Sequence, residues 1–177
     1  MRIYLIGFMG SGKSTFGKKL SLSLKTPFID LDEKIEKSEK KSVAEIFQKK
    51  GENYFRTVEA VVLRKTKRYT DAVIATGGGT ACFSDNMKWM NENGITIYLN
   101  APAGELYHRL LSDRENRPLL SSLTDIALLE FVMGTLSRRE SFYLQAGIKL
   151  NAKTAIVSKA ISAIKVVRKK TKTRRRK

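Results

Sequence analysis

A phosphate-binding loop near the N-terminus constrains this chain more than any other feature. Residues 7–15 read Gly-Phe-Met-Gly-Ser-Gly-Lys-Ser-Thr and match the pattern G-x-x-x-x-G-K-[ST]. Glycines allow the backbone to curl with its N–H groups turned inward, and the helix that follows adds the partial positive charge of its N-terminus. An apolar run at residues 2–6 precedes the loop, and leucines at helical spacing follow it. This order of strand, loop and helix predicts a nucleotide-phosphate site.

Two side chains of the loop have the chemistry that a bound nucleotide requires. Lys13 can reach the outer phosphates, and the hydroxyl of Ser14 is suited to Mg²⁺. The alternative interpretation is a glycine turn beside an exposed lysine. The strand before the loop and the helix after it favour the phosphate site over that alternative.

The chain has the size and composition of one globular domain in a reducing compartment. Its 177 residues are enough for a single hydrophobic core, and no apolar run approaches the ~20 residues of a membrane span. Cys82 is the only cysteine, which excludes an internal disulfide and is typical of a cytoplasmic protein. We therefore expect a single domain over residues 1–167, acting as a monomer in the cytoplasm without membrane attachment.

The net charge of +17 is unevenly distributed. Residues 168–177 hold eight of the 34 Lys and Arg and no acid, which leaves 26 basic against 17 acidic residues, or +9, in the rest. A basic body is suited to anionic substrates. We interpret residues 168–177 as a solvated, disordered tail, because they lack apolar side chains that could pack. Weak binding of a polyanion, either nucleic acid or acidic lipid, is the alternative.

Strands that alternate with helices predict an α/β fold with a parallel sheet of about five strands. Besides residues 2–6, runs typical of buried strands begin at Pro27, Ala72, Ile95 and Gly147. The charged residues 33–69 are predicted to be helical, with a capping box at Ser42 and Glu45 and a helix break at Gly51. In such sheets ligands bind beyond the carboxyl ends of the strands.

Acidic residues and glycines follow two of these predicted strands. Asp30 and Asp32 are two residues apart, so they share a face if the chain is extended there. They are candidates for holding Mg²⁺ and a substrate hydroxyl; the alternative is that Asp32 only caps the next helix. Gly77-Gly78-Gly79 follows the third strand and leaves bare backbone facing the same crevice.

Arginines occur at three further places where an anion could be held. Arg56 and Glu59 share one helix face, a spacing that by itself is typical of a surface ion pair. Arg139 lies near the end of a long predicted helix, where arginine is also favoured by the negative helix end. Arg117 lies in a polar stretch with a proline, residues 112–122, which is typical of a lid between two helices.

In this order, the motifs resemble the shikimate kinase family. The resemblance covers residues 2–167 and rests on the following motifs: the phosphate loop, Asp30-Leu31-Asp32, Phe55-Arg56 with Glu59, Gly77-Gly78-Gly79, Arg117-Pro118-Leu119-Leu120, and Arg139 four residues before Tyr143. It implies a three-layer α/β/α nucleoside monophosphate kinase fold with strand order 2-3-1-4-5, a substrate-binding helical segment at about residues 33–61 and a lid at about residues 112–123. It also implies transfer of the γ-phosphate of ATP to the 3-hydroxyl of shikimate, on the route to chorismate and the aromatic amino acids.

The resemblance further implies a role for each matching residue. The nucleotide is held by the phosphate loop, the lid and a late loop: Gly10, Ser11, Gly12, Lys13, Ser14, Thr15, Arg117 and Lys153. Mg²⁺ is held by Ser14 directly and by Asp30 through water. Shikimate is held by groups around the crevice: Asp32, Arg56, Gly78, Gly79 and Arg139. The chemical step depends on Lys13, Asp32 and Arg117.

Three alternatives stay open at this point. The residue that stacks on adenine is Arg109 or Arg114, since both lie near the start of the lid. A kinase of another small hydroxy acid, such as gluconate, needs similar chemistry, although the aspartate and lid motifs together favour shikimate. A nucleotide-dependent nucleic-acid binder that uses the basic tail is the alternative from a different class. The body of the chain argues against it, because it lacks a surface that combines aromatic and basic side chains.

Overall fold

A five-stranded parallel sheet forms the centre of the computed structural model, which describes residues 1–114 and 120–174. The strands are β1 (Arg2–Ile6), β2 (Phe28–Asp30), β3 (Ala72–Ala75), β4 (Ile95–Asn100) and β5 (Ile148–Asn151). Their order across the sheet is β2-β3-β1-β4-β5, and each neighbouring pair is parallel. The predicted strand order is therefore confirmed, and β1 with its following loop lies in the middle of the sheet.

Helices connect successive strands and cover the sheet. The α-helices of the described residues are α1 (Lys13–Leu24), α2 (Leu31–Glu39), α3 (Val43–Lys65), α4 (Asn86–Asn93), α5 (Ala103–Ser112), α6 (Asp125–Tyr143) and α7 (Val157–Arg174). Short 3₁₀ turns follow α3 and the triple-glycine segment, at Thr66–Arg68 and Thr80–Cys82. No described helix combines the length and the hydrophobicity that crossing a membrane would require.

Side chains of β1 alternate between two hydrophobic cores, one on each face of the sheet. Tyr4 and Ile6 pack in a core with residues of α2, α3 and α4. Ile3 and Leu5 pack in a second core with residues of α1 and α7. All four are at most 1% exposed, so β1 is buried on both faces, as its uninterrupted apolar run predicted. The architecture is the predicted α/β/α sandwich.

A third core fixes the phosphate loop to the helices beside it. Leu106 and Leu110 of α5 pack with Leu128 and Val132 of α6, and Phe8 of the loop joins them. Phe8 is 1% exposed. The loop is therefore held by apolar packing on one side as well as by its own backbone geometry.

A kink divides α3 into two arms. Ser42 and Glu45 form the predicted capping box at its start: the Ser42 hydroxyl accepts from the Glu45 amide at 3.2 Å, and the Glu45 carboxylate accepts from the Ser42 amide at 2.9 Å. Gly51 interrupts the helix with φ 77° and ψ 172°, a conformation that is almost restricted to glycine. The predicted cap and the predicted break are both confirmed.

The start of α2 differs from the prediction. The strand ends at Asp30 and the helix begins at Leu31, so Asp32 lies in the first helical turn and not on an extended chain beside Asp30. The capping residue is Asp30, whose Oδ1 accepts from the amide of Asp32 at 3.1 Å. The expectation that the two aspartates share a strand face is therefore wrong. A capping aspartate and further acids in the first turn both favour an early helix start.

The last helix is longer than the sequence predicted. We expected a helix from Thr154 to Val167, whereas α7 runs from Val157 to Arg174. Lysine and arginine are good helix formers, and their charges are favourable near the negative end of a helix. The helix therefore continues across residue 168, where the composition predicted the boundary between the domain and its tail.

Candidate active site

A cleft of about 350 Å³ lies beyond the carboxyl ends of β1, β2 and β3. The residues that line it come from the phosphate loop, the strand ends and α5: Met9, Gly10, Gly12, Lys13, Ser14, Thr15, Asp30, Asp32, Thr76, Gly77, Gly78, Arg109 and Asp113. The fold therefore brings the phosphate loop, both aspartates and part of the glycine segment into one space. A larger cavity of about 550 Å³ lies at the amino ends of β1, β4 and β5, but none of these groups lines it.

The phosphate loop has a curled shape. Gly7, Gly10 and Gly12 have φ values of 141°, 78° and 86°, which other residues rarely adopt. The ammonium group of Lys13 is inside the curl and donates to the carbonyl oxygens of Gly7 and Phe8, both at 2.8 Å. Lys13 is only 8% exposed. A cation is thus held at the centre of the loop, where the phosphates of a nucleotide would lie.

Ser14 and Asp30 form a pair of oxygen ligands at the start of α1. The Ser14 hydroxyl donates to Asp30 Oδ2 at 2.8 Å, while the other oxygen of Asp30 caps α2. Hydroxyl and carboxylate oxygens fit the preference of Mg²⁺, which usually keeps several waters and takes few protein ligands. On this donor chemistry the Ser14–Asp30 pair is the candidate magnesium position. The described residues contain no group of three or more acids, histidines or cysteines that could hold a metal.

Asp32 presents a carboxylate whose charge is not fully compensated. Its Oδ1 is buried and has no hydrogen-bond partner among the described residues. Its pKa is raised to about 6, first by burial and then by the negative charges of Asp30 and Glu59, with Lys13 opposing the rise. A carboxylate with a pKa near neutrality, facing a cleft, is suited to orienting a hydroxyl and accepting its proton.

Arg56 projects from α3 toward the glycine segment. Its Nη1 donates to Glu59 Oε2 at 2.9 Å, and its Nε and Nη2 donate to Glu52 Oε1 at 3.1 and 2.9 Å. The guanidinium lies 4.2 Å from the ring centroid of Phe83. A Cβ on Gly79 would lie 2.6 Å from Arg56 Nη2, so a side chain at that position would displace the guanidinium of Arg56.

Glu59 is a functional residue to which the sequence reasoning gave no role. It is fully buried, and its Oε1 accepts from the hydroxyl of Thr80 at 2.6 Å while its Oε2 holds Arg56. The interpretation of Arg56 and Glu59 as a surface ion pair is therefore wrong, because their side chains are 11% and 0% exposed. The i,i+3 spacing identified the pair, but its burial depends on the glycine segment packing over it, which helix periodicity does not reveal.

Arg139 approaches the same glycine segment from α6. Its guanidinium lies 5.9 Å from the ring centroid of Phe8, and the hydroxyl of Tyr143, one helical turn further along, donates to the carbonyl oxygen of Gly78. Burial raises the pKa of the Cys82 thiol to about 11, and the positive charges of Arg139 and Arg56 oppose the rise. Both guanidinium groups therefore lie close enough to Cys82 to influence it. The residues that line the cleft include neither Arg56 nor Arg139, so their joint role in holding a carboxylate stays a prediction.

A second cavity, of about 470 Å³, lies on the other side of the phosphate loop. Arg109 lines it and donates to the carbonyl oxygen of Gly10 at 3.0 Å. Arg114 instead donates to the Leu123 carbonyl at 3.0 Å and to Asp125 at 2.7 Å, at the start of α6. Of the two adenine-stacking candidates, only Arg109 lies against the loop.

Two further predicted nucleotide contacts, Lys153 and Arg117, stay predictions. Lys153 follows β5 and is exposed, and its neighbours Ala152 and Ala155 line the second cavity whereas Lys153 does not. Arg117, the lid arginine, lies outside the described residues.

The comparisons with known proteins agree with one another. A family model described as shikimate kinase matches residues 9–169. A relative from Bacteroides thetaiotaomicron named shikimate kinase is 42% identical over 152 residues, which is 86% of this chain and 87% of the relative. The crystal structure of shikimate kinase from that organism has a TM-score of 0.84 at 38% identity and covers 97% of this chain and 98% of its own.

Two further solved structures are similar to this chain. The shikimate kinase of Acinetobacter baumannii, solved in complex with shikimate, has a TM-score of 0.81 at 31% identity, covering 97% of this chain and 93% of its own. A gluconokinase from Sinorhizobium meliloti has a TM-score of 0.58 at 15% identity, covering 98% and 96%. The gluconokinase is similar in fold alone.

Proposed function

The chain belongs to the shikimate kinase family, and from this premise we propose that it transfers the γ-phosphate of ATP to the 3-hydroxyl of shikimate. The observation that supports the proposal is that one cleft joins a cation-bearing phosphate loop and the Asp32 carboxylate, while Arg56 packs against Gly79 of the glycine segment that lines the cleft. These groups match the three parts of the reaction: a triphosphate donor, a hydroxyl acceptor and a carboxylate that anchors the acceptor.

The carboxylate of shikimate binds between Arg56 and Arg139. A planar guanidinium offers two parallel N–H donors to a carboxylate, which a lysine cannot do. Gly78 and Gly79 complete this pocket with their backbone, and the absence of a side chain on Gly79 is what admits Arg56. Anchoring at this end leaves the ring hydroxyls of shikimate directed toward Asp32 and the phosphate loop.

Asp32 orients the acceptor hydroxyl and takes its proton late in the transfer. Phosphoryl transfer requires little proton removal before the transition state, so orientation is the larger part of its contribution. A pKa of about 6 leaves Asp32 mostly ionised at neutral pH, yet basic enough to accept the proton when the new bond forms.

The phosphates of ATP bind in the loop formed by residues 10–15, with Lys13 beside the transferred group. Ser14 and Asp30 hold Mg²⁺, Ser14 directly and Asp30 through water. When bound, the ion neutralises charge on the phosphate oxygens. Arg117 contacts the phosphates from a lid at residues 112–123, and Lys153 contacts the nucleotide from the late loop.

The remaining assignments follow from the same proposal. Residues 33–61 form the substrate-binding segment of a single domain over residues 1–167, and Arg109 stacks on adenine because it already lines the cavity beside the loop. The protein acts as a monomer, since one chain supplies both arginines, Asp32 and the phosphate loop. A free Cys82 supports a reducing, cytoplasmic location.

A coupled assay of ADP release tests the proposed function. Shikimate and gluconate are compared as phosphate acceptors, and single-stranded nucleic acid as an activator, at equal concentrations of ATP and Mg²⁺. We expect the kcat/KM for shikimate to be at least about 10³ times that for gluconate. A site whose polar groups are placed for one substrate discriminates strongly against an analogue that leaves those polar groups without hydrogen-bond partners. Faster turnover of gluconate, or ATP hydrolysis that responds only to nucleic acid, would refute it.

The basic C-terminus supports a second, weaker activity, the binding of nucleic acid. Arg168 is exposed on α7, and residues 168–177 contain eight Lys and Arg and no acid. The absence of apolar side chains in that stretch favours contact with a phosphate backbone over insertion into lipid. Deletion of residues 168–177 should leave kinase activity unchanged and abolish a salt-sensitive shift of labelled single-stranded nucleic acid. Retention of that shift, or its replacement by binding to acidic vesicles alone, would contradict this assignment.

A further inference from the structure

The buried carboxylate of Glu59 has a different partner on each of its oxygens. Oε2 accepts from Arg56 Nη1 at 2.9 Å, and Oε1 accepts from the hydroxyl of Thr80 at 2.6 Å. Glu59 and Thr80 are both 0% exposed, so bulk water does not compete for either contact. The short distance to Thr80 is typical of a charge-assisted O–H···O⁻ hydrogen bond. Glu59 is thus shared between an arginine of the proposed shikimate pocket and a neutral hydroxyl.

The contact between Thr80 and Glu59 lies next to the cleft without opening into it. Gly77 lines the cleft, and a Cβ on Gly77 would lie 3.1 Å from the Thr80 hydroxyl oxygen and 3.2 Å from Glu59 Oε1. The same atom would lie 3.0 Å from Asp32 Oδ1. Thr80 and Glu59 are not among the residues that line the cleft. Any effect of Thr80 on a substrate is therefore transmitted through other side chains.

The turn that carries Thr80 is fixed by a second buried polar side chain. Asn86 is 0% exposed, and its Nδ2 donates to the carbonyl oxygen of Thr80 at 2.9 Å. Its Oδ1 accepts from the guanidinium of Arg64, which also donates to the carbonyl oxygen of Ser84 at 2.8 Å. The amide of Thr80 donates to the carbonyl oxygen of Gly77 at 3.3 Å. Both polar groups of the Thr80 backbone are thus bonded, which gives its hydroxyl a defined position relative to Glu59.

Arg56 has N–H donors beyond those that its two acids use. A guanidinium has five such donors. Among the described residues, Glu52 takes the donor on Nε and one on Nη2, and Glu59 takes one on Nη1. One N–H on each terminal nitrogen therefore remains, and a carboxylate can accept two N–H groups of a guanidinium in parallel. A second oxygen of Glu59 turned toward Arg56 would compete for these donors.

We propose that Thr80 is a positioning residue for shikimate binding: its hydroxyl holds Glu59 to a single contact with Arg56 and so leaves donors of the guanidinium for the substrate carboxylate. This proposal rests on the proposed function, because it treats Arg56 as part of the shikimate pocket. Without the hydroxyl, Glu59 Oε1 would be a buried carboxylate oxygen with no donor, which is unfavourable. Arg56 is the cation already bonded to Glu59, so the carboxylate would turn its free oxygen to that guanidinium.

Thr80→Val and Thr80→Ala test this inference, because valine keeps the shape of threonine and both variants lack the hydroxyl. Thr80→Ser keeps the hydroxyl and loses only a methyl group. Thr66→Val is the matched control: Thr66 is also buried, and its hydroxyl contacts Tyr4 and the carbonyl oxygen of Leu63, which do not line the cleft. The measurements are the calorimetric Kd for shikimate, the KM for each substrate, kcat and the melting temperature.

We expect Thr80→Val to raise both the Kd and the KM for shikimate about tenfold, the scale of one hydrogen bond to a charged group. The KM for ATP should change by less than about twofold, and kcat should fall less than the KM for shikimate rises. Thr80→Ser should bind shikimate within about twofold of the unmodified protein. Thr66→Val should lower the melting temperature and leave shikimate binding unchanged, because a buried hydroxyl is lost away from the cleft.

Several outcomes would overturn the proposal. These are unchanged shikimate binding in Thr80→Val, an equal loss of binding in Thr66→Val, or an equal rise of the KM for ATP. A Thr80→Ser protein as weak as Thr80→Val would also overturn it, since the hydroxyl would then not be the group that matters. If neither Thr80→Val nor Thr80→Ala folds, the hydroxyl serves folding and the assignment is wrong.

A double-mutant cycle checks that Thr80 acts through Glu59. In a Glu59→Gln background, Thr80→Val should change shikimate binding by less than about twofold, because an amide lacks the second carboxylate oxygen that competes for Arg56. An undiminished tenfold effect would overturn the coupling. Failure of the proposed function is distinguishable, because the unmodified protein would then show no turnover and no binding of shikimate.

Discussion

Replacing Asp32 with asparagine should make the protein slower and also more stable. Burial raises the pKa of this carboxyl from 3.8 to about 6, which means that ionising it in the folded protein is unfavourable. The difference corresponds to about 3 kcal/mol at 25 °C. Because the residue as a whole is only half-buried, solvent reduces the figure, and we expect a gain of about 1–3 kcal/mol in the free energy of unfolding at pH 7.

The sign of the pH dependence follows from the same shift. An acid with a raised pKa binds its proton more tightly in the folded than in the unfolded state, so stability falls as pH rises from about 4 to about 6. Asparagine does not titrate, so its stabilising effect should be full above pH 6 and absent below pH 4. Urea unfolding of both proteins at pH 4 and pH 7 measures this difference.

Activity should move in the opposite direction. Asp32 is about 90% ionised at pH 7 and about 10% at pH 5, so kcat/KM for shikimate should fall about tenfold between them. Asp32→Asn should lower kcat by about 10² or more, abolish this pH dependence and not respond to added Mg²⁺.

Asp30→Asn is the control. Asparagine still caps α2, so the free energy of unfolding should be unchanged. The Mg²⁺ concentration needed for activity should rise, and excess Mg²⁺ should restore activity. Rescue of Asp32→Asn by Mg²⁺, or its destabilisation at pH 7, would refute the reasoning.

Four further substitutions separate the nucleotide, carboxylate and electrostatic parts of the site. Lys13→Met should abolish phosphoryl transfer while circular dichroism shows an intact fold, and near-normal turnover would contradict the phosphate-loop assignment. Arg56→Lys and Arg139→Lys should each weaken shikimate binding by about 1–3 kcal/mol with little change in the KM for ATP, whereas equal weakening of both substrates would place them elsewhere. Glu52→Gln should lower the KM for shikimate by up to about fivefold, because an exposed ion pair of about 1 kcal/mol no longer competes for Arg56; Glu45→Gln, an exposed acid on the same helix, should have no effect.

The sheet and the phosphate loop were predictable because their signals are local. The loop is a contiguous pattern, and the strand runs are apolar throughout because both faces are buried. The strand order came from the resemblance to a known family. Asp32 as the cap of α2 was only the alternative to a role in the site, and the cap is Asp30, because strand and helix meet without an intervening loop residue. Such boundaries are decided by a single hydrogen bond, which composition does not specify.

Two buried contacts of the glycine segment and the turn after it were not predictable in the same way. Glu59 and Tyr143 each contact a residue from a distant part of the chain, Thr80 in one case and Gly78 in the other. Helix spacing places Glu59 beside Arg56, but only the packed structure shows that the pair is buried. Side chains that serve a site through other side chains leave no spacing pattern, since their partners are brought together by the fold.

The lysine of the phosphate loop has a consequence for the thermodynamics of nucleotide binding. Its ammonium already occupies the centre of the curl, donating to two carbonyl oxygens of the loop itself. The entropy of ordering that side chain is therefore lost during folding and not on association. When a triphosphate binds, its oxygens replace carbonyl oxygens of the loop as hydrogen-bond acceptors of the Lys13 ammonium group, which is already in place. The heat of association should thus reflect the difference between carbonyl and phosphate oxygens as partners, with a small entropic penalty from the loop.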